Sequence, residues 1–112
     1  MITRKQKLKE LRKSFREQVL KRDGHKCMFC NCKENLDAHH ITNRNDLPVF
    51  GYVISNGITL CPKHHVLAEK YLQTSCKKCF KDFSPDKLYK MINSSYEQAL
   101  SDCIKLKEAI IE

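Results

Sequence analysis

The first predicted element is a helix at the start of the chain. Its apolar positions recur at intervals of three or four residues, at Leu8, Leu11, Phe15 and Val19. Such spacing lines one face of an α-helix with apolar side chains. Thr3 followed by Gln6 fits a capping box, and "RDG" at 22–24 ends the pattern. The sequence therefore predicts an amphipathic helix over residues 1–23, about five turns long at about 3.6 residues per turn.

The middle of the chain alternates between short apolar runs and polar segments. Residues 25–35 form a cysteine-rich knuckle, and "LDAHHI" at 36–41 is typical of a strand. The stretch 42–57 is rich in Asn, Gly and Pro, which predicts a loop with one short extended piece. "ITLC" at 58–61 predicts a second strand, and Pro62 suits the first turn of a helix that continues through "KHHVLAEKYL". The predicted order is strand, loop, strand, helix.

The last part of the chain is predicted to be mostly helical. "QTSCKKCFKDF" at 73–83 matches no regular pattern, whereas Ser84 and Pro85 are typical of a helix start. The apolar positions that follow include Leu88, Met91, Ile92, Tyr96, Leu100 and Ile104. The polar "NSS" at 93–95 interrupts this pattern and is where the helix could break.

These elements predict a single domain of the α+β class over residues 1–112. It consists of an N-terminal helix (1–23), a central core (25–73) and a C-terminal extension with a helix (74–112). The sequence contains no internal repeat and no low-complexity linker. At 112 residues the hydrophobic core alone is marginal, so a further source of stability is expected.

Positive charge is concentrated in the first helix. The chain has 21 Lys and Arg against 13 Asp and Glu, a net charge of +8, and ten of the basic residues but only three acids fall within 1–26. A basic helix of this density is a candidate contact for the phosphate backbone of DNA. A solvated helix face explains the same charges, and charge alone leaves both interpretations open.

The cysteine count indicates a reducing environment. Seven cysteines is an odd number, and the sequence has neither the apolar core of a signal peptide at its start nor an apolar stretch long enough for a membrane span. We therefore expect a cytoplasmic protein without a membrane partner. In that setting Cys-x-x-Cys pairs are expected to bind metal rather than to form disulfides.

Two chelating pairs predict a structural zinc site. Cys27 and Cys30 form a Cys-x-x-Cys in the knuckle, and Cys61 and His64 form a Cys-x-x-His at the start of the central helix. Together they supply the four ligands of a closed tetrahedral zinc site, which would join the knuckle to the helix.

Other cysteines offer alternatives. Cys32 lies beside the knuckle, and Cys76 with Cys79 could replace Cys61 and His64 or bind a separate ion. The later pair follows a helix of about ten residues, or about 15 Å, so it reaches the knuckle only if the chain doubles back. Cys103, at a core position of the last helix, fits a small buried hydrophobe better than a ligand.

The adjacent histidines of "LDAHHI" suggest a second, catalytic metal. Successive strand residues point to opposite faces, so His39 and His40 cannot both bind one ion. His65 and Glu69 lie four positions apart on one helix face, and a strand histidine would complete three ligands with open positions. The remaining histidine would be free for proton transfer, a combination that suits phosphodiester hydrolysis.

Three motifs resemble the HNH endonuclease family: "DAHHI", "SNGITLC" and "PKHHVLAE". The resemblance covers residues 25–70 and includes the version clamped by zinc between two cysteine pairs. It implies a small ββα-metal core over 25–73, flanked by the basic N-terminal helix and the C-terminal helical segment.

The resemblance also implies individual roles. His39 corresponds to the strand metal ligand, His40 to the general base, Asn56 to the asparagine that orients the base, and His65 to the helical metal ligand. A further helical ligand in the family is often histidine, whereas this chain has Glu69. Glu69 is therefore either a metal ligand or a solvent-facing residue of the helix.

The implied activity is the hydrolysis of DNA phosphodiester bonds with the help of a single divalent ion. The enzyme would nick one strand or cut both, and the products would carry 5′-phosphate and 3′-hydroxyl ends. Mg²⁺ or Mn²⁺ is expected, although histidine ligands also suit Zn²⁺ or Ni²⁺. Arg44 lies just after the first strand and could contact a phosphate, or be an ordinary surface residue. The protein would be a monomer or homodimer. Small proteins of this kind occur in phages, as mobile homing nucleases and in restriction or defence systems, and the resemblance favours a phage or mobile-element enzyme. The alternative is a noncatalytic zinc module that binds nucleic acid or acts as an adaptor.

Overall fold

A computed structural model describes residues 3–111 of the chain. Met1, Ile2 and Glu112, which the predicted domain includes, lie outside the described residues. Over the described range the chain forms four α-helices and one two-stranded antiparallel sheet. Their bounds are α1 (Arg4–Arg22), β1 (Asp37–His40), β2 (Gly57–Leu60), α2 (Pro62–Gln73), α3 (Pro85–Met91) and α4 (Tyr96–Ile111). The predicted α+β class and the predicted order strand, loop, strand, helix are confirmed.

The start of α1 is the predicted capping box. The Thr3 side-chain oxygen accepts a hydrogen bond from the backbone N–H of Gln6, whose side chain accepts one from the backbone N–H of Thr3. These reciprocal bonds satisfy two backbone donors that a helix start otherwise leaves unpaired. The buried face of α1 consists of Phe15, Val19 and Leu20 in its second half.

β1 and β2 form a hairpin that contacts both α1 and α2. Asp37 pairs with Leu60, and His40 pairs with Gly57. A Cβ atom at position 57 would lie 2.5 Å from Cγ2 of Val19, so only glycine allows α1 to approach the hairpin this closely. β2 is buried along its whole length, which places the sheet at the centre of the fold.

The loop between the strands contains three short 3₁₀ turns, Arg44–Asp46, Pro48–Gly51 and Ile54–Asn56. Between these turns Leu47 and Val53 have extended backbone angles, so the extended part of this loop is limited to single residues. Val49 and Phe50 have left-handed backbone angles, with φ of 46° and 56°, and these angles keep the chain turning.

The segment after α2 folds back along that helix. Lys77–Phe83 is a kinked 3₁₀ helix, and the ring of Phe83 stacks on Phe29 in the knuckle with centroids 4.7 Å apart. Cys76 and Cys79 are joined in a disulfide. The expectation that Cys-x-x-Cys pairs bind metal is therefore wrong for this pair, whose Cα atoms lie 5.6 Å apart, within disulfide range.

The predicted break between the last two helices is confirmed. α3 ends before Asn93, which has a left-handed φ of 54°, and α4 starts after a short polar connection. The core face of α4 is formed by Ala99 and Cys103, both fully buried. The core position predicted for Cys103 is therefore confirmed. Tyr96 and Ile104, two of the apolar positions in this part of the sequence, are exposed.

No helix within residues 3–111 combines the length and the apolar character needed to cross a lipid bilayer.

Candidate metal centres

Four side chains from the knuckle and the start of α2 converge on one point: Cys27, Cys30, Cys61 and His64. Their ligand atoms all lie within 4.8 Å of one another. The Sγ atoms of Cys30 and Cys61 are 3.7 Å apart. Nδ1 of His64 lies 3.5 Å from Sγ of Cys27 and 3.2 Å from Sγ of Cys61. The prediction that these four residues meet is confirmed.

The separations fit a tetrahedral zinc ion. With Zn–S bonds of about 2.3 Å and Zn–N bonds of about 2.0 Å, two sulfur ligands lie about 3.8 Å apart and a sulfur and a nitrogen about 3.5 Å apart. The Cys30–Cys61 and Cys27–His64 distances agree with these values, and the Cys61–His64 distance is slightly shorter. Four cysteine and histidine ligands with no open position are typical of structural zinc.

Backbone hydrogen bonds hold the knuckle in place beside the sheet. The N–H of Cys27 donates to the carbonyl of Cys32, and the N–H of Met28 donates to the carbonyl of Thr59 in β2. Cys61 follows β2 directly and is the N-cap residue of α2, so the second pair starts where strand and helix join. Cys32 itself is exposed and lies outside the four-residue cluster.

Two side chains of the cluster, Cys61 and His64, have a protonation state or an orientation that favours metal binding. Burial raises the pKa of Cys61, but hydrogen bonds from His64 and from the neighbouring thiols outweigh burial and lower the pKa to about 6. The thiolate, which is the metal-binding form, is therefore favoured at neutral pH. The His64 ring stacks on Phe29 with centroids 5.1 Å apart, and this packing fixes the direction of Nδ1.

A second cluster joins His39 in β1 to His65 and Glu69 in α2. Oε1 of Glu69 lies 3.6 Å from Nδ1 of His39 and 3.2 Å from Nε2 of His65. His39 is only 2% exposed, and its Nδ1 has no hydrogen-bond partner in the described chain. Buried polar atoms without a partner are rare, and a cation held between these three side chains would supply the missing one. The three side chains therefore fit a metal ion, with Glu69 close enough to the two histidines to be a third ligand.

Asp37 belongs to the surroundings of this cluster, although the sequence analysis did not identify it. Its Oδ2 lies 3.5 Å from Nδ1 of His65, on the opposite side of the ring from Glu69. A carboxylate at this atom favours the tautomer in which Nε2 of His65 is free to bind a metal. The signal was present in the sequence, because Asp37 and His39 are two residues apart on one strand and share a face.

His40 packs on the opposite side of the hairpin from His39. Its ring stacks on Phe15 of α1 with centroids 4.6 Å apart and lies 5.3 Å from the ring of Tyr52. Nε2 of His40 is buried and has no hydrogen-bond partner among residues 3–111. His40 nevertheless reaches the same cavity as the second cluster. This cavity, of about 420 Å³, is lined by His40, Arg44, Asn45, His65 and Glu69, among others.

Both strand histidines are neutral at physiological pH. Burial lowers the pKa of His39 to about 3, and the charges of His65 and His40 act in the same direction. Burial also lowers the pKa of His40 to about 4, and Arg44 adds to this effect against an opposing influence of Asp37. A neutral imidazole is the form that binds a metal ion or accepts a proton.

Asn56 is fully buried, and its side chain holds the loop rather than His40. Oδ1 accepts hydrogen bonds from the backbone N–H of Thr42 and the hydroxyl of Tyr89, and Nδ2 donates to the carbonyls of Thr42 and Gly51. The direct orienting contact with the base that the resemblance implies is not among these bonds. The backbone carbonyl of Asn56 accepts the N–H of Ile41, so Asn56 fixes the chain immediately after His40.

Two of the N-terminal basic residues have structural partners. The Arg16 guanidinium donates to the carbonyl of Leu36, and that of Arg22 donates to the carbonyls of Ile54 and Gly57. Their guanidinium groups therefore stabilise the fold by joining α1 to the sheet and its flanking segments. The remaining cations of α1 lie on its exposed surface.

A comparison of the chain with protein-family models, curated proteins and solved structures finds no match. The assignment of a function therefore depends on the motif residues and on the geometry of the two clusters.

Proposed function

We propose that the chain is a metal-dependent HNH endonuclease that hydrolyses DNA phosphodiester bonds, with a ββα-metal core clamped by structural zinc. The observation that carries this proposal is the convergence of His39, His65 and Glu69 beside a cavity that His40 and Arg44 also line. A structural zinc ion in the cysteine cluster requires none of these five side chains.

His40 is the proposed general base. Its neutral imidazole takes a proton from a water molecule as the water oxygen attacks phosphorus. The bond between phosphorus and the 3′ oxygen on the opposite side breaks, and that oxygen takes a proton from solvent. The products carry a 5′-phosphate and a 3′-hydroxyl. Stacking on Phe15 would keep the His40 ring in one orientation during the reaction.

His39, His65 and Glu69 would hold one divalent ion, either Mg²⁺ or Mn²⁺, or Zn²⁺ or Ni²⁺ given the histidine ligands. When bound, the ion would stabilise negative charge on the phosphate and on the leaving oxygen. The protein contributes rigidity to this site. His39 is fixed by burial, and Glu69 lies one helical turn from His65.

Arg44 and Asn56 have supporting roles in the proposal. Arg44 is exposed at the wall of the cavity, where its planar guanidinium could pair with a phosphate oxygen of the substrate. Asn56 closes the loop that carries Arg44, because its side chain bonds the backbone at Thr42 and Gly51.

The exposed cations of α1 would contact phosphates that flank the cleaved bond. Each chain has one candidate catalytic cluster among its described residues. A monomer would therefore nick one strand, and cleavage of both strands at one place would require a homodimer.

Relaxation of supercoiled plasmid by the purified protein with added Mn²⁺ or Mg²⁺ tests the proposal. We expect the wild type to nick the plasmid and His40→Ala to slow nicking by about 10²- to 10⁴-fold, the usual contribution of a general base. The zinc content of the variant should be unchanged, because His40 is not part of the cysteine cluster.

The matched control is His25→Asn. His25 is exposed, lies outside both clusters and has a left-handed backbone that asparagine tolerates. This variant should nick at the wild-type rate. Equal rates for His40→Ala and wild type would remove the proposed base. If the wild type shifts the mobility of DNA but cuts none, the noncatalytic zinc module becomes the better explanation.

A further inference from the structure

A second cavity, which we name the α1 cleft, lies between the first half of α1 and the loop before β2. Its volume is about 390 Å³, and its charged and aromatic lining residues are Lys5, Lys9, Arg12, Arg44, Phe50 and Tyr52. The three α1 cations follow one another at intervals of four and three residues, which places them on one helix face. No acidic side chain of the described chain lines this cleft.

The cations of the α1 cleft have no anionic partner within the part of the chain that the structure describes. None of the ion pairs there includes Lys5, Lys9, Arg12 or Arg44. Positive charges that line one cleft repel one another, and a polyanion bound there would relieve that repulsion. The cleft therefore has the electrostatics of a site for a phosphate backbone.

The aromatic side of the α1 cleft is also unusual. Phe50 is 39% exposed although it is a large apolar residue, and both Phe50 and the preceding Val49 have left-handed backbone angles. Such angles are uncommon for bulky residues and are found preferentially at functional sites. An exposed ring beside several cations is the combination on which single-stranded nucleic acid binds by stacking its bases.

The α1 cleft adjoins the cavity of the second metal cluster. Arg44 and Asn45 line both. A row of rings also connects them, because the Phe50 and Tyr52 centroids are 6.1 Å apart and the Tyr52 and His40 centroids are 5.3 Å apart. A strand bound in the α1 cleft would therefore lead directly to the cavity at His40.

We propose that the α1 cleft binds an unpaired stretch of one DNA strand, with phosphates on its cations and a base stacked on Phe50. A paired base presents only its edges in the grooves, so stacking on Phe50 requires a base that has left the duplex. The preferred substrate is then a junction between duplex and single strand. This inference rests on the proposed function for the identity of the nucleic acid, but binding can be measured without cleavage.

Fluorescence anisotropy without added divalent ions tests the inference. The probes are a labelled blunt DNA duplex and the same duplex with a single-stranded thymidine tail. We expect the wild type to bind the tailed duplex about tenfold more tightly, and Phe50→Ala and Phe50→Leu to lose that preference. Lys9→Gln should reduce the slope of log K against log salt concentration by about 0.7 on the tailed probe, the effect of one lost phosphate contact.

Two control variants match these changes. Tyr96→Ala removes an exposed aromatic ring that does not line the α1 cleft, and Lys105→Gln removes an exposed cation of α4 that does not line it. Both should bind like the wild type. Equal affinity of the wild type for the two probes, or an unchanged preference in both Phe50 variants, would overturn the inference even if the protein cuts DNA. If the protein prefers the tailed duplex through Phe50 but cuts no DNA, the binding role of the α1 cleft is supported and the proposed nuclease activity is rejected.

Discussion

His39 and His40 are neighbours in the chain, yet they contact different helices. His39 packs against α2 beside Glu69, whereas His40 stacks on Phe15 of α1. The alternation of side chains along a strand was enough to predict that the two imidazoles separate. The same periodicity places Asp37 on the same face of β1 as His39, and there its carboxylate lies beside His65. This contact with His65 leads to a testable prediction.

We expect Asp37→Asn to weaken the binding of Mn²⁺ to the zinc-loaded protein by about 10- to 100-fold, the usual effect of losing a partner that orients a metal-binding histidine. The physical reason is that Asp37 lies 3.5 Å from Nδ1 of His65 and holds the ring with Nε2 towards Glu69. Isothermal titration calorimetry gives the affinity directly.

Asp86→Asn is the matched control for this change. Asp86 is an exposed aspartate in the first turn of α3 and lies outside both metal clusters. It should bind Mn²⁺ like the wild type. A wild-type affinity in Asp37→Asn itself would show that His65 needs no such partner.

The candidate ligands could be predicted from sequence because chelating residues occur at fixed spacings. Cys61 with His64, and His65 with Glu69, are set by one turn of helix, which local geometry determines. The partners of Arg22 and the hydrogen bonds of Asn56 could not be predicted, since they join residues far apart in the chain. Arg22 was therefore counted among the candidate phosphate contacts, although its guanidinium donates to the carbonyl of Gly57.

At the scale of elements, α1 combines a structural end with a basic, exposed start. Its last residues connect to the hairpin through Asp23, whose carboxylate is paired with the Arg22 guanidinium at 2.8 Å. The same carboxylate accepts the backbone N–H of Thr59 in β2 at 2.9 Å. Because Asp23 is buried, these bonds are shielded from water and fix the angle at which α1 leaves the sheet.

We expect Asp23→Ala to lower the free energy of unfolding by about 3 kcal/mol. The change removes the acceptor of the buried Thr59 N–H and the carboxylate that pairs with the Arg22 guanidinium. Urea unfolding of the zinc-loaded protein measures this difference. Lys21→Ala, an exposed neighbour, should stay within about 0.5 kcal/mol of the wild type. A loss for Asp23→Ala as small as that of the control would mean that packing alone attaches α1.

The ends of elements were predicted where side chains mark them locally. The capping box of Thr3, the proline at the start of α2 and the polar break before α4 all act within a few residues. The loop from 42 to 56 was described only in outline, because its left-handed residues depend on tertiary anchors such as Asn56. For the same reason the chain reversal that brings Phe83 onto Phe29 was not expected.

At the scale of the whole molecule, the cysteine cluster joins the knuckle to the start of α2. The knuckle between α1 and β1 has no regular secondary structure among the described residues, and it packs against the core through the buried Cys27 and the partly buried Met28 and Phe29. In a domain of this size the hydrophobic core gives only a modest margin of stability. Zinc bound at Cys27, Cys30, Cys61 and His64 would therefore contribute directly to folding.

We expect the purified protein to contain one zinc ion per chain and a chelator to lower its melting temperature by about 10 °C or more, since each kcal/mol corresponds to about 4 °C in a domain of this size. Cys30→Ala should lose most of the zinc, and because Cys30 is exposed, the change opens no cavity in the core. Cys32→Ala is the matched control, two residues away, equally exposed and outside the cluster. It should retain the zinc and the melting temperature of the wild type, as measured by elemental analysis and differential scanning fluorimetry. If Cys32→Ala loses the metal and Cys30→Ala keeps it, the ligand is Cys32, and the knuckle must then turn differently from the arrangement that places Cys30 beside Cys61.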